Sequence, residues 1–391
     1  MSRRSEIISS YLQSEIAQGS LPGAQYLVGQ NLKVVAEDAV GLAVVEPEPI
    51  DATLDTIYDM ASLTKPLITS LLLLKFAERG ELDLNAPLAA YLSEFNDRDK
   101  RDITLTQLMT HTSGLPNWRP LYLEAATRED VPEAIAQILY EPEPSRDVVY
   151  SDLNYILLGF VLERLTGERL DQLAEREIIR PLKLVRTMFN PKPELIREIA
   201  ATEHGQEFEL ANAIADMKTR GWSGGSTLIS ASPTSSTLSN AHWRKDVIWG
   251  EVHDGNANFM GGVAGHAGLF STAREAFRIA NQFFDGSELL ESETLKLFVT
   301  NLTKGCETSR SIAWILAETP GCSAGSDLPK AAIGHNGFTG TSIWMVPETR
   351  AVFVLLTNRV HPRVGTIDMR EIRRHFNSLA VETIRESVTE N

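Results

Sequence analysis

The sequence predicts an α+β protein, in which an antiparallel sheet flanked by helices is built from both ends of the chain. Short apolar runs separated by turn residues lie before residue 50 and return after about residue 310, as expected of antiparallel strands. The region between them carries a helical apolar rhythm. Such segregation of strands and helices is typical of α+β layers. We therefore expect a discontinuous sheet domain, a mostly helical inserted domain and a cleft between them: residues 1–84 with 305–391, and residues 85–304.

The individual elements follow from the apolar spacing and from the residues that stop it. The stretch 62–79 is apolar nearly all round, which indicates a buried helix, and Gly80 is its stop signal. The other predicted elements are, in chain order, helix 6–18, strands 25–28, 33–35 and 41–45, helices 104–110, 131–139, 152–166, 169–178 and 272–284, strands 311–316, 331–334, 341–346 and 351–356, and a C-terminal helix 369–386.

Composition limits the kinds of partner. The 391 residues carry 37 Lys+Arg against 52 Asp+Glu, a formal net charge of −15. This acidic balance argues against a nucleic-acid backbone or an anionic membrane surface as the main partner. Two cysteines, Cys306 and Cys322, are too few for a thiolate zinc site; we expect free thiols, although the two could also form a disulfide. The sequence predicts no cofactor and no metal.

The N-terminal residues bear on localisation. They are polar and lack the apolar run of a secretory signal. The most apolar window, Leu67–Leu74, is far shorter than the roughly 20 residues that a spanning helix needs. We therefore expect a cytoplasmic protein that does not act at a membrane, unless a leader precedes this sequence.

The strongest signal for chemistry is Ser62-Leu63-Thr64-Lys65, the only S-x-x-K in the chain. At the start of a helix, Ser62 and Lys65 lie on one face, and a lysine amine there can take the proton of the serine hydroxyl. The partial positive charge at a helix N-terminus favours a developing oxyanion. The alternative is a capping serine with a solvated lysine, but the Pro66 and leucine run that follow indicate a buried setting.

Tyr150-Ser151-Asp152 is the second candidate, at the head of a predicted helix. A phenol near a cation can be held as phenolate and act as a general base. Asp152 could hold Lys65 charged or fix its rotamer. A tyrosine taken alone is more often a core or rim aromatic.

The third candidate is a glycine-rich turn that begins at the end of a predicted strand, Gly334-His335-Asn336-Gly337-Phe338-Thr339-Gly340. Glycines there let the backbone approach a ligand closely, and an edge-strand amide can help to form an oxyanion hole.

In this order, S-x-x-K, Y-S-[ND] and a late H-x-G on a strand, the chain resembles the class C β-lactamase and penicillin-binding-protein superfamily, including its carboxylesterase branch. The segment Met109–Pro116 resembles that family's T-H-T-S-G-L, and Gly261–Thr272 resembles a segment of its serine-hydrolase and esterase branch. The resemblance runs from about residue 20 to 380. It implies a β-lactamase/transpeptidase-like fold, with the active site in the cleft between the two domains.

The resemblance also implies roles for individual residues. Ser62 becomes the acylated nucleophile, Lys65 its activating partner and Tyr150 the general base and acid, while the backbone N–H groups of Ser62 and Phe338 form the oxyanion hole. Gly337 belongs to the turn that shapes this part of the site.

Two residues depart from the β-lactamase pattern. His335 replaces a lysine, and a histidine of ordinary pKa is mostly neutral at pH 7. Asp152 replaces an asparagine and would repel an anionic substrate. Both departures favour neutral esters or amides over β-lactams.

Competing signals are weaker. Gly221-Trp222-Ser223-Gly224-Gly225 is a literal G-x-S-x-G, but its flanks lack the strand and helix of a nucleophile elbow. His253, Asp254 and His266 lie in one loop-rich region without metal-ligand spacing, and we interpret the histidines as hydrogen-bonding anchors. Trp118, Trp222 and Trp344 are candidates for an apolar cleft lining.

The sequence thus predicts a serine hydrolase acting on short-chain esters or small amides. The alternatives are a β-lactamase or D-amino-acid peptidase with the same mechanism, and a non-catalytic binding protein on the same fold. In each case the partner is a small molecule with an ester, amide or lactam group, and the oligomeric state is open.

Overall fold

A computed structural model describes residues 3–96, 98–139, 148–220 and 243–389. Within these ranges the chain forms helices α1 to α11 and strands β1 to β10. The helices are Arg3–Ala17, Leu71–Glu78, Leu105–Met109, Val131–Gln137, Asp152–Thr166, Leu170–Ala174, Glu207–Thr219, Gly255–Phe259, Ala273–Ala280, Ser292–Val299 and Met369–Thr389. The strands are Gly23–Gln30, Lys33–Val44, Ile50–Asp51, Tyr58–Asp59, Met188–Phe189, Leu269–Ser271, Ile315–Leu316, Ile333–Asn336, Ser342–Val346 and Ala351–Thr357.

A seven-stranded antiparallel sheet is built from both ends of the chain. Its order is β3-β2-β1-β10-β9-β8-β7, so the first and last strands of the chain pair with each other. In that pair Ala24 lies opposite Thr357 and Gln30 opposite Ala351. The α+β class and the contribution of both termini are thereby confirmed. The domain boundaries near residues 84 and 305 stay a prediction.

The sheet is covered on both faces, and the alternation of side chains along β10 shows how. Val352, Val354 and Leu356 enter the larger core, which also holds the leucines of α2. Phe353 and Leu355 enter a second core, shared with α1 and α11. Because successive side chains on a strand point to opposite faces, a strand buried on both faces reads as a continuous apolar run, as β10 does.

The region around Ser62 is less regular than the single helix predicted over 62–79. One turn of 3₁₀ helix, Ala61–Leu63, is followed by a π-helical stretch, Lys65–Ser70, and only then by α2. Pro66 has no N–H to donate to the preceding turn, which accounts for the irregular start. Such π-helical segments are frequent at functional sites.

Other differences come from contacts distant in sequence. The predicted strands 33–35 and 41–45 form one strand, β2, because β1 pairs along its length. The region 85–304 was predicted as helix and loop, yet β5 and β6 lie in it and form a small sheet with β4. Helices α7, α8 and α10 were not predicted. Among the helices of the described residues, none combines the length and apolar content needed to cross a membrane.

Candidate active site

Ser62 stands on a turn that buried hydrogen bonds hold in place. The carboxylate of Asp59, at the end of β4, accepts the N–H of Ala61 and the N–H of His253, each at 2.8 Å. Ala61 has a φ of +47°, in the left-handed region that a residue with a side chain rarely adopts. The turn therefore presents Ser62 in a conformation that its surroundings impose.

Lys65 contacts both Ser62 and Asp152, two residues that line the cleft. Its Nζ donates to Ser62 Oγ at 2.8 Å and forms an ion pair with Asp152 Oδ1 at 2.7 Å. The side chain is fully buried. Burial alone would lower the pKa of Lys65, but the negative charge of Asp152, together with Tyr150, outweighs it and raises the pKa above its ordinary value. Lys65 is therefore an ammonium at neutral pH.

Tyr150 and Asp152 are positioned by the loop that begins at His111. The backbone N–H of Ser151 donates to His111 Nδ1 at 3.0 Å, and the Ser151 hydroxyl donates to the carbonyl of Pro116 at 2.6 Å. The His111 ring packs 4.5 Å from the Tyr150 ring, centroid to centroid. Burial holds the pKa of His111 well below its ordinary value, so the ring is neutral and can accept that N–H. His111 is thus an anchor of the site.

His335 lies in β8, one residue before its end, beside Tyr150, with 5.8 Å between the ring centroids. Its Nδ1–H donates to the carbonyl of Asn336 at 2.9 Å, and Nε2 has no hydrogen-bond partner among the described residues. Burial, reinforced by the cations of Arg310 and Lys65, holds the pKa of His335 well below its ordinary value. His335 is therefore neutral, as its ordinary pKa already indicated.

The glycine-rich turn lies directly against the chain that carries Ser62. A Cβ added to Gly337 would stand 2.8 Å from the carbonyl oxygen of Met60 and 2.0 Å from Thr341 Oγ1. Only glycine permits this approach. The next residue, Phe338, lines the same cleft as Ser62, and its backbone N–H has no acceptor among the described residues.

Arg310 is a residue of the site that the sequence analysis missed. Its guanidinium carbon lies 5.6 Å from the centroid of the Tyr150 ring, and the residue is only 4% exposed. No motif surrounds Arg310 in the sequence. It lies in the loop before β7, far along the chain from Tyr150, and only the fold brings the two residues together.

The cleft above these residues has a volume of about 930 Å³. Aromatic side chains line one wall: Phe338 packs against Phe208 at 5.2 Å and stacks on His253 at 5.5 Å, centroid to centroid. Trp118 also lines the cleft, as predicted. Trp344 does not, because it is buried in the second core.

The histidines that invited a metal hypothesis are hydrogen-bonded to carboxylates. His253 Nε2 lies 3.0 Å from Glu203 Oε2, and His266 Nε2 lies 2.9 Å from Asp254 Oδ1. In the part of the chain that the structure describes, no three potential ligand side chains are grouped as a metal site. The rival nucleophile Ser223, with its neighbours Gly221–Gly225, lies outside the described residues.

Comparison with known proteins points to one family. The family model described as Beta-lactamase matches residues 8–376. A protein of Escherichia coli O157:H7 that carries the name D-alanyl-D-alanine carboxypeptidase is 29% identical over 387 residues, which cover 90% of this chain and 82% of the relative.

Solved structures share the fold. The structure of EstCE1, a hydrolase with promiscuous acyltransferase activity, superposes with a TM-score of 0.70 at 18% identity and covers 97% of this chain and 98% of its own. A class C beta-lactamase gives a TM-score of 0.68 at 17% identity, with 96% of each chain covered.

Proposed function

The chain belongs to the beta-lactamase family, a fold family of serine hydrolases, and from that premise we propose that it hydrolyses short-chain carboxylic esters or small amides through an acyl-enzyme at Ser62. The observation that carries the proposal is the buried contact of Lys65 Nζ with both Ser62 Oγ and Asp152 Oδ1, at 2.8 and 2.7 Å. A serine that is only a helix cap has no need of a buried ammonium on its hydroxyl.

The protonation state of Lys65 decides which group takes the serine proton. Because Asp152 keeps Lys65 charged, Lys65 orients Ser62 Oγ and stabilises negative charge, and Tyr150 is the proton acceptor. The Ser62 proton passes to the Tyr150 oxygen as Oγ bonds to the acyl carbon. The N–H groups of Ser62 and Phe338 stabilise the resulting oxyanion.

The tetrahedral intermediate then collapses, and Tyr150 returns the proton to the departing alcohol or amine. Water attacks the acyl-enzyme, its proton passes to Tyr150, and the carbon–Oγ bond breaks with the proton returned to Ser62. Each turnover consumes one water and leaves the side chains as they began.

Neutral substrates fit the charges beside Ser62. His335 is neutral where the resembling β-lactamases have a cation, and Asp152 adds a negative charge. The aromatic wall of Phe208 and Phe338 offers an apolar surface for a short acyl chain.

Intact-mass measurement after exposure to a fluorophosphonate probe tests the nucleophile. We expect one adduct on the wild type and on Ser223→Ala, and none on Ser62→Ala, which should also lose hydrolysis of p-nitrophenyl butyrate. An adduct that disappears with Ser223 instead would overturn the assignment. No adduct on any of the three proteins would favour a non-catalytic binding protein.

A second candidate is a D-amino-acid peptidase or β-lactamase with the same steps. Two guanidinium groups favour it, because Arg359 and Arg373 line the cleft and could attract a substrate carboxylate. Both are already engaged with the glycine-rich turn: Arg359 Nε donates to the Phe338 carbonyl at 2.8 Å, and Arg373 Nη2 to the Gly337 carbonyl at 2.9 Å.

Parallel assays separate the two candidates. We expect kcat/KM for p-nitrophenyl butyrate to exceed that for nitrocefin and for release of D-alanine from a D-alanyl-D-alanine peptide. The reverse order would establish the second candidate and refute the preference for esters.

A further inference from the structure

His335 has one ring nitrogen without a partner, and the residue lines the same cleft as Ser62 and Tyr150. It is only 4% exposed. Its Nδ1 lies 2.9 Å from the carbonyl oxygen of Asn336, and because a carbonyl can only accept, Nδ1 carries the proton. Nε2 has no hydrogen-bond partner among the described residues. Buried polar atoms are ordinarily hydrogen-bonded, so Nε2 calls for a partner.

The tautomer of His335 decides what that partner must be. Burial, reinforced by the cations of Arg310 and Lys65, holds the pKa of His335 well below its ordinary value, so the ring is neutral. With the proton on Nδ1, the Nε2 of a neutral ring has a lone pair and no hydrogen. It can accept a hydrogen bond but cannot donate one. A carboxylate offers only lone pairs and cannot satisfy it, whereas a hydroxyl can.

Two N–H donors in this neighbourhood leave Nε2 unsatisfied. The ring of Trp314 lies 6.5 Å from that of His335, centroid to centroid, and its Nε1–H has no acceptor among the described residues. Arg310 Nε also lacks an acceptor there, and Arg310 Nη2 donates to the carbonyl of Ala313 at 3.2 Å. Neither Trp314 Nε1 nor Arg310 Nε therefore donates to Nε2.

His361 shows how the chain satisfies the same tautomer when the ring only supports the fold. Its Nδ1–H donates to the carbonyl of Thr202 at 2.6 Å, and its Nε2 accepts the N–H of Val45 at 2.8 Å. Burial lowers the pKa of this ring as well. His361 is not one of the described residues that line the cleft. The two histidines thus differ in one respect, which is that the Nε2 of His335 lacks a donor from the described chain.

We infer that His335 is a specificity-determining residue whose Nε2 accepts a hydrogen bond from the leaving group, so that the protein prefers esters of alcohols that carry a second hydroxyl. The inference deepens the proposed function and rests on it. Tyr150, which returns the proton to the departing oxygen, lies beside His335 with 5.8 Å between the ring centroids. The leaving group therefore passes His335. A lysine at this position, as in the β-lactamases that the chain resembles, would donate instead and would suit a carboxylate.

A pair of esters of equal size tests the inference. 2-Hydroxyethyl butyrate and propyl butyrate differ by a hydroxyl in place of a methyl group on the leaving alcohol. An apolar cleft alone favours the propyl ester, whereas an unpaired Nε2 disfavours it. Relative to the rates of the two esters with hydroxide, we expect kcat/KM of the wild type to be at least about fivefold higher for the hydroxyethyl ester. Equal values, or a preference for the propyl ester, would overturn the inference even if no variant folds.

Variants assign the preference to the ring nitrogen. His335→Leu removes the acceptor and should abolish the preference, and His335→Gln, which carries an amide oxygen on a side chain of similar length, should keep part of it. A merely structural role of His335 would lower kcat/KM for both esters equally and leave their ratio unchanged. His361→Leu is the matched control, and its ratio should equal that of the wild type. A folded His335→Leu protein with the wild-type ratio would overturn the inference.

The outcomes separate this inference from the proposed function. Hydrolysis of both esters in the ratio set by hydroxide would overturn the inference and leave Ser62 as the nucleophile. If neither ester is hydrolysed, the inference falls, and fluorophosphonate labelling then decides whether the proposed function falls with it. Hydrolysis of either ester by Ser62→Ala would overturn the proposed function itself.

Discussion

Replacing Gly337 with alanine should disable the proposed hydrolysis by moving the glycine-rich turn, which carries the backbone N–H of Phe338. The new Cβ would stand 2.8 Å from the Met60 carbonyl oxygen and 2.0 Å from Thr341 Oγ1. A carbon–oxygen contact needs at least about 3.3 Å, so the turn must retreat by about 0.5 Å from Met60, and the Thr341 side chain must also turn aside. The Met60 oxygen cannot yield, because the N–H of Leu63 and Thr341 Oγ1 both donate to it. Losing one oxyanion donor costs about 10²–10³ in kcat, and we expect a fall of that size in kcat for p-nitrophenyl butyrate and in the labelling rate of Ser62.

The control is Gly365→Ala. Gly365 does not need a positive φ, and the nearest atom that its Cβ would meet is Ile367 Cδ1 at 3.9 Å. This variant should keep wild-type activity and stability. If Gly337→Ala folds, by circular dichroism, and retains kcat within about threefold, then the close approach of the turn does not position the oxyanion donor, and the reasoning fails.

Two further perturbations test the charges of the site. Asp152→Asn leaves Lys65 buried without its carboxylate, so the free energy of unfolding in urea at pH 7 should fall by about 3 kcal/mol. The control Asp171→Asn breaks an exposed pair with Arg169 and should lower the free energy of unfolding by at most about 1 kcal/mol. Equal losses in the two variants would contradict a buried pair of Lys65 and Asp152. His335 has a lowered pKa in the folded state, so its contribution to stability is complete above about pH 6.5 and is lost as the pH falls below that value. The free energy of unfolding of the wild type, relative to that of His335→Asn, should therefore fall by up to about 1.4 kcal/mol per pH unit between pH 6.5 and 5. If the two proteins lose stability in parallel over this range, His335 is not a buried neutral histidine.

Local patterns in the sequence were enough to predict the sheet from both termini, the boundaries of α5 at residues 152 and 166, and the proximity of Ser62, Lys65 and Tyr150. These features depend on short-range periodicity, stop signals and motif order. The unpredicted small sheet depends on pairing between Tyr58 and Ser271, which are remote in sequence and belong to strands too short to show a period.

The same distinction explains why Arg310 was missed. Its proximity to Tyr150 arises where the loop before β7 meets the head of α5, and an isolated arginine between Ser309 and Ser311 carries no local signal. The buried pair of Lys65 and Asp152 was within reach of sequence reasoning, since both residues were candidates. The sequence left open whether Asp152 holds Lys65 charged or only fixes its rotamer, and deciding for the charge required the burial and the distance.

The two halves of the proposed chemistry are fixed by different parts of the chain. The glycine-rich turn is tied to β4, the strand that precedes Ser62, since Thr339 Oγ1 donates to the Asp59 carbonyl at 2.8 Å. It is tied to α11 through Arg373. Tyr150 is held instead by the loop that begins at His111. Perturbing the first set of contacts should lower kcat without changing the pH profile, because the proton acceptor is untouched. Perturbing the second should also lower kcat, because the Tyr150 oxygen moves away from Ser62 while the oxyanion donors stay in place.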